Sequence, residues 1–173
     1  MKKILSSLFL LLIIAISASA NVKLTSADWR KLVGQEKVAV VLVLDELKYK
    51  KTHPFKEFLY KENRVKNWQS ESLAYFISNF NKKLAALGME AFEGSGKDDT
   101  KYSIKIVPKN VTSGGKLSGI VGVCDNVTNE CIVSFSFDTN DGDDDDEITF
   151  RDPMRELGED IGKIFVTGLK KQK

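Results

Sequence analysis

The stretch YSIKIVPKNVTSGGKLSGIVGVCDNVTNECIVSFSFD, residues 102–138, contains three strand-like runs separated by two short polar turns. Apolar and polar side chains alternate through the first run, which is typical of a strand with one wet face. The turns are rich in Gly, Asn and Asp, the residues that tight hairpins need. In the last run, Cys131 shares a face with Val133, Phe135 and Phe137. The stretch predicts an antiparallel meander with strands over residues 101–111, 116–124 and 131–138.

Both cysteines of the chain flank the second turn. A hairpin would set Cys124 opposite Cys131, and cross-strand neighbours lie close enough for a disulfide when they form a non-hydrogen-bonded pair. The spacing excludes a C-x-x-C redox centre, and a zinc site lacks partners because His53 is the only histidine. We therefore predict a disulfide between the two cysteines.

Upstream of the meander, residues 38–44 read VAVVLVL. Seven consecutive apolar residues, most of them β-branched, predict a central strand buried on both faces. Residues 25–34 predict a short helix, with Thr25 or Ser26 as its cap and Gly34 at its end.

Two longer segments repeat apolar side chains at three- and four-residue steps, the pattern of an amphipathic helix. The first covers residues 70–87, and Gly88 is suited to the left-handed position that ends a helix. The second follows a short strand over residues 147–150 and begins with Asp152 as its N-cap. It contains two glycines beside its apolar stripe, which we expect to allow close approach to the sheet.

The order of these elements, with a further short strand over residues 89–93, is β-α-β-β-β-β-α after the leading helix. It predicts a single α+β domain over residues 21–173. We expect a mainly antiparallel sheet of four to six strands, with both amphipathic helices packed on one face.

Residues 1–20, MKKILSSLFLLLIIAISASA, have the features of an export signal. Two lysines precede an apolar run over residues 8–16, and the small residues Ala18-Ser19-Ala20 resemble a cleavage site. The apolar run is too short to cross a bilayer core of about 30 Å, and no cysteine is placed for lipid attachment. The sequence predicts a cleaved signal peptide and a mature periplasmic or secreted protein that begins near Asn21.

The charge balance argues against a nucleic-acid partner. The 26 basic residues include Lys2 and Lys3, so the mature chain matches its 24 acidic residues with an equal number of basic ones. Binding to a phosphate backbone needs a basic surplus. Residues 45–67 are basic and aromatic, and we interpret them as a connection whose aromatics fill the core rather than as a nucleic-acid or membrane patch. No segment after the signal is long and apolar enough for a transmembrane span.

The acidic segment 138–147, DTNDGDDDDE, suggests calcium because carboxylate oxygens are its preferred ligands. The register of an EF-hand loop does not fit, which leaves a looser calcium site or a solvated hairpin loop. The candidate ligands of such a site are Asp138, Asn140, Asp141, Asp143 and Asp144.

No catalytic signature is visible. A catalytic triad would have to use His53, which lies in a charged segment, and no G-x-S-x-G surrounds a serine. A hydrolase with paired carboxylates is a third hypothesis, but 24 acidic residues make some pair inevitable. We expect a non-enzymatic protein without a cofactor, calcium apart.

The layout of residues 37–169 resembles a group of small exported proteins of Bacteroides-type bacteria. The similarity lies in the buried strand KVAVVLVLDE, the helix ending at Gly88, the meander and the closing segment GEDIGKIF. The layout is also similar to the N-terminal domain of the Tol-system periplasmic propeller protein and to domains of the curli-secretion lipoproteins. These resemblances imply a role in envelope assembly and protein contact. We therefore expect an exported adapter with a protein partner, or alternatively a calcium- or small-ligand-binding protein.

Overall fold

The computed structural model describes residues 20–55, 68–95, 100–140 and 150–172, and these residues form an α+β unit. The strands are β1 Lys23–Ala27, β2 Lys37–Leu42, β3 Lys48–Tyr49, β4 His53–Pro54, β5 Glu90–Glu93, β6 Tyr102–Val111, β7 Leu117–Asp125 and β8 Cys131–Asp138. The α-helices are α1 Trp68–Leu84 and α2 Arg151–Lys170, and short 3₁₀ turns cover Trp29–Leu32 and Ala85–Leu87.

The strands form one mixed sheet in the order β1-β8-β7-β6-β2-β5, with β3 and β4 attached at the end of β6. Strands β6, β7 and β8 are the predicted antiparallel meander. Strand β2 lies between β6 and β5 and runs parallel to both. Helix α1 connects the parallel neighbours β2 and β5. The α+β class is confirmed, but the sheet has eight strands rather than four to six and is partly parallel.

The central position predicted for the apolar run is confirmed by strand β2. Val38, Val40 and Leu42 join the main core, while Ala39 is fully buried on the opposite side of the strand. Strands with parallel partners are usually covered on both faces, so their sequences can be apolar throughout.

The helix predicted over residues 25–34 is wrong. Thr25 and Ser26 lie in β1, which pairs antiparallel with β8, and the Thr25 hydroxyl donates to the carbonyl of Ser134 at 2.9 Å. Only the 3₁₀ turn at Trp29–Leu32 remains helical. A helix this short is marginal in isolation, so backbone bonds to the edge of β8 outweigh its local cap signals.

The helix ends are partly as predicted. Gly88 has φ 69° and ends the first helical segment in the left-handed conformation. The second helix begins earlier than expected, because Phe150, at φ 49°, takes the N-cap position and Asp152 lies within the first turn. The predicted strand over residues 147–150 lies outside the described residues except for Phe150, which belongs to no strand.

Both helices pack on the same face of the sheet, as predicted. The ring of Phe165 on α2 is 5.2 Å from that of Phe80 on α1 and 6.4 Å from that of Phe135 on β8. All three side chains are fully buried. The aromatic contacts therefore join the two helices to the strands in a single core.

The glycines of α2 approach the other helix, not the sheet as predicted. A Cβ on Gly158 would lie 2.4 Å from the carbonyl oxygen of Phe76, and one on Gly162 would lie 2.8 Å from the Cβ of Lys83. Gly162 follows Gly158 in α2, and Lys83 follows Phe76 in α1. The two helices therefore run in the same direction. Two backbones can approach this closely only where one of them carries no side chain.

Replacing Gly158 with alanine tests this contact. The new methyl group would collide with the backbone of Phe76, so we expect a loss of about 1–3 kcal/mol in the free energy of unfolding. The loss should appear although alanine favours a helix over glycine by about 1 kcal/mol. The control is Lys170→Ala at an exposed position of the same helix. Denaturant unfolding measures both variants, and equal stabilities would contradict the close helix contact.

Candidate functional site

Within the described residues, no helix packs on the side of the sheet away from α1 and α2, and we call this side the helix-free face. Successive side chains of a strand alternate between the two faces, and directly paired residues share a face. We define the helix-free face by residues whose strand neighbours point into the core: Val41, Lys105, Val107, Ser118, Ile120, Gly122, Ser134 and Ser136. Ala39 and Ser103 lie on the same side of the sheet but are fully buried.

Ile120 occupies the middle of the helix-free face. It pairs with Val107 on β6 and with Ser136 on β8, so it lies inside the sheet rather than at an edge. Its side chain is nevertheless 48% exposed, whereas its neighbour Val121 is fully buried on the core side. Ile120 is therefore an exposed apolar side chain among half-buried valine and serine neighbours.

The charge around Ile120 is mainly positive. Lys23 on β1 pairs with Ser136 and so belongs to the same row of side chains. Lys105 lies one row along, where its ammonium group donates to Asn129 Oδ1 at 3.1 Å. Asp138 is also on this face, but its carboxylate is paired with Lys116 at 3.4 Å. The helix-free face therefore combines an apolar centre with a cationic surround.

The two cysteines lie at disulfide distance at one end of this face. Cys124 and Cys131 are register partners, with an S–S distance of 1.94 Å, which confirms the predicted pairing. Such a pair fits an oxidising periplasmic or extracellular location. The predicted shared face of Cys131 with Val133 is wrong, because a register shift around Ile132 turns the cysteine to the other side of the strand. The sulfur atoms lie 3.0 and 3.1 Å from a Cβ built on Gly122, so a side chain there would have to displace them by a few tenths of an ångström.

The turn between the cysteines is held by its own side chains. The Asp125 carboxylate accepts the backbone N–H groups of Val127 at 2.8 Å and Thr128 at 3.0 Å. The bonds from Thr128 and Val127 hold the pKa of Asp125 below its ordinary value. Asn126 donates to the carbonyl of Thr100 at 2.7 Å and ties the turn to the chain before β6.

A shallow cleft of about 310 Å³ lies below this turn. Its charged lining consists of two lysines, Lys31 and Lys101, and two carboxylates, Asp125 and Glu130. The balanced charges give the cleft no net preference for an anion or a cation.

The calcium ligands proposed from the sequence are only partly described. Asp141, Asp143 and Asp144 lie outside the described residues. Asp138 forms the ion pair with Lys116, and Asn140 hydrogen-bonds to a carboxylate of helix α2. Within the part of the chain that the structure describes, no group of three or more His, Cys, Asp or Glu side chains is arranged to hold a metal ion.

Sequence reasoning missed an acidic row on helix α2. Asp152, Glu156 and Asp160 are spaced by four residues and so lie along one side of the helix. Burial raises the pKa of Glu156, and the charges of Asp152 and Asp160 raise it further, against the opposing effect of Arg155. Asn140 is the hydrogen-bond partner noted above. The four-residue spacing was visible in the sequence, but the proximity of Asn140 to Glu156 was not.

Only the first half of the basic and aromatic segment, residues 45–55, lies within the described residues. Residues 56–67 lie outside the described residues, as do the aromatic side chains within them. Phe55 is buried, and its ring is 6.1 Å from that of Phe150, in agreement with the interpretation that this aromatic fills the core. His53 is exposed in β4, where it pairs with Tyr49.

Comparison with protein-family models and with curated proteins gives no match for this sequence. Among solved structures, the chain is similar to the PelC dodecamer from Paraburkholderia phytofirmans, at 9% identity and a TM-score of 0.46, over 87% of this chain and 96% of that chain. A single-residue variant of that dodecamer gives 10% identity and a TM-score of 0.44, over 87% and 98% of the two chains. In the described ranges, no helix has the length and apolar character needed to cross a membrane.

The cysteine pair leads to a prediction about thiols and stability. Labelling of the unfolded, unreduced protein should find no free thiol, because both cysteines are in the disulfide. Replacing both cysteines with serine should lower the free energy of unfolding by about 2 kcal/mol, since the closed loop is short. Two reactive thiols in the protein purified from its native compartment would contradict the pairing.

Proposed function

We propose that this protein is an exported, non-enzymatic binding module of the bacterial envelope, which contacts a protein partner through the helix-free face. The observation that carries the proposal is the half-exposed Ile120 at the centre of the sheet. The two described helices pack on the other side of the sheet, and strands β7 and β8 keep half-buried and exposed side chains on this one.

The export signal and the disulfide support the envelope location independently. Residues 1–20 have the charge and apolar pattern of a cleaved leader. Cys124 and Cys131 are joined across a hairpin, and such disulfides persist in oxidising compartments rather than in the cytosol. The resemblance of the layout to exported envelope domains supports the same assignment.

The charges of the helix-free face suggest the chemistry of its partner. Lys23 and Lys105 lie in the same row as Ile120 and in the next one, and the carboxylate of Asp138 on this face is already paired with Lys116. We therefore expect a protein surface with an apolar centre and an acidic rim. Rim charges of this kind mainly speed association and exclude wrong partners, while the apolar centre supplies affinity.

Replacing Ile120 with aspartate should abolish partner capture. A photo-crosslinking amino acid at position 118 or 136 provides the readout in intact cells, and the charged variant should lose at least tenfold in adduct yield, the equivalent of about 1.4 kcal/mol. The matched control is Val127→Asp, because Val127 is 87% exposed in the disulfide turn and off the helix-free face.

The same variants separate binding from folding. Ile120→Asp should keep the thermal midpoint within a few degrees, since the side chain is already half exposed. Equal adduct yields for the two aspartate variants, with both folded, would contradict a partner on this face.

Calcium binding is the second candidate function, and one observation favours it. Glu156 has a buried carboxylate oxygen, Oε2, without a hydrogen-bond partner among the described residues, and Asn140 is bonded to the same side chain. Asn140 begins the acidic loop in which the sequence places most of the candidate ligands. An ion at the base of this loop would satisfy that oxygen and neutralise the loop carboxylates.

Millimolar calcium should raise the melting temperature if this second candidate is correct. Binding to the native state alone stabilises by about 2.7 kcal/mol when the ion is at a hundred times its dissociation constant. The shift should vanish when Asp141, Asp143 and Asp144 are changed together to asparagine. A melting temperature that does not respond to calcium would rule out the candidate.

A further inference from the structure

Ala20 is part of the folded domain, although the sequence places it at the end of the leader. Its residue surface is fully buried. Its backbone N–H donates to Asp160 Oδ2 at 3.0 Å, and its carbonyl accepts the N–H of Val22 at 2.9 Å. The next residue, Asn21, exchanges two backbone hydrogen bonds with Asp138 at the end of β8. The chain is thus held in place from residue 20 onward.

The acceptor of the Ala20 N–H is a buried carboxylate. Asp160 is only 2% exposed. One of its oxygens accepts from Lys163 Nζ at 3.1 Å, and the other accepts from Ala20. A buried carboxylate that loses one of its donors is costly, because the oxygen left behind has neither protein nor water as a partner.

Asp160 lies among other carboxylates of α2 and their cationic partners. On its own helix, Glu156 and Asp152 lie one and two turns earlier on the same side, and Glu159 is adjacent in sequence. Lys163 is shared between Asp160 and Glu159, and Lys83 of α1 pairs with Glu159 at 3.1 Å. Arg155 and Arg151 pair with Asp152 at 2.8 and 3.8 Å, so the carboxylates on this side of α2 are matched by an equal number of cations.

The sequence offers three ways of cutting the leader. A cut after Ala20 has Ala18 and Ala20 as its small residues, and it would remove the donor to Asp160. A cut between Ser19 and Ala20 has Ser17 and Ser19 in the same roles and keeps that donor. A third cut, after Ser17, has Ala15 and Ser17 as its small residues and also keeps that donor. The rule for small residues therefore does not choose among the three, and only the cut before Ala20 turns the donor to Asp160 into a charged group.

We propose that the leader is removed between Ser19 and Ala20, and that the new α-ammonium group of Ala20 forms a buried ion pair with Asp160. This inference rests on the proposed export. The leader-removing protease of the host catalyses hydrolysis of the Ser19–Ala20 amide by water. The leader keeps the carboxylate, and Ala20 keeps the nitrogen, which is protonated at neutral pH. A single N–H donor to Asp160 thereby becomes a charged donor, which makes a stronger bond to a carboxylate.

The first test is the intact mass of the exported protein. The full gene is expressed in a bacterium, and the product is purified from the periplasm or the medium without a tag at its N-terminus. A mass that corresponds to residues 20–173 supports the proposal. A chain that begins at Ala18, Ser19 or Asn21 overturns it. A chain that stays in the cytosol with its leader attached contradicts the proposed export instead, so the two failures are distinguishable.

The second test measures the reactivity of the Ala20 amine. An ordinary α-amino group has a pKa of about 7.7–8.0, against about 10.4 for lysine, so it reacts first with an acylating reagent at pH 7. The buried, paired ammonium should reverse this order and remain unlabelled while the exposed Lys23 is modified. Peptide mass spectrometry after brief acetylation reads both sites in the same sample.

Variants of α2 complete the design. Asp160→Asn should restore rapid acetylation of Ala20, whereas Asp152→Asn, two turns earlier on the same helix, should leave it protected. Rapid acetylation of Ala20 in the unaltered protein would overturn the ion pair, and this readout does not depend on whether Asp160→Asn folds.

Discussion

The close contact between Gly158 and the backbone of Phe76 is the constraint on which the architecture depends. It lets two parallel helices lie side by side, so that both fit on one face of a wide sheet. The side chains that fill the space between helices and strands are large and aromatic, and Phe165 contacts rings on α1 and on β8. Apolar burial is the main favourable term in folding, and in the described core it is concentrated on this side. The helix-free face is left with small, polar and half-buried side chains, which suits contact with another molecule.

Local sequence patterns predicted the elements better than their partners. The meander was predictable because alternation and turn residues act over a few positions, and β6, β7 and β8 formed where they were expected. The parallel placement of β5 beside β2 was not, because nothing in a short strand reports which neighbour it will pair with. Strand β1 was mistaken for a helix for the same reason, since its stability comes from bonds to β8 rather than from its own residues.

The sequence did not predict the direction of the Cys131 side chain, because the strand register shifts beside it. Strict alternation places Cys131 with Val133, yet the shift around Ile132 turns the cysteine away from the core and brings its sulfur above Gly122. A bulge of this kind depends on backbone geometry that a single sequence does not report. The glycines of α2 illustrate a related gap. Their positions predicted close packing, but whether the neighbour was a strand or a helix depended on the path of α1.

The candidate site could be predicted only in part from the sequence. The cysteine pair followed from two residues and one turn, whereas the helix-free face requires knowledge of which sheet side the helices cover. The acidic row of α2 and the burial of Ala20 depend on contacts between residues far apart in the chain. Together these features divide the molecule into a side that provides stability and a side that we propose provides contact.

Methyl NMR spectroscopy with a soluble paramagnetic agent tests that division most directly. In the purified exported protein, the agent should strongly broaden the methyl signals of Ile120, while those of Ile106 and Val121 on the core side remain sharp. Equal protection of all three residues would mean that both faces of the sheet are covered, and it would contradict the account.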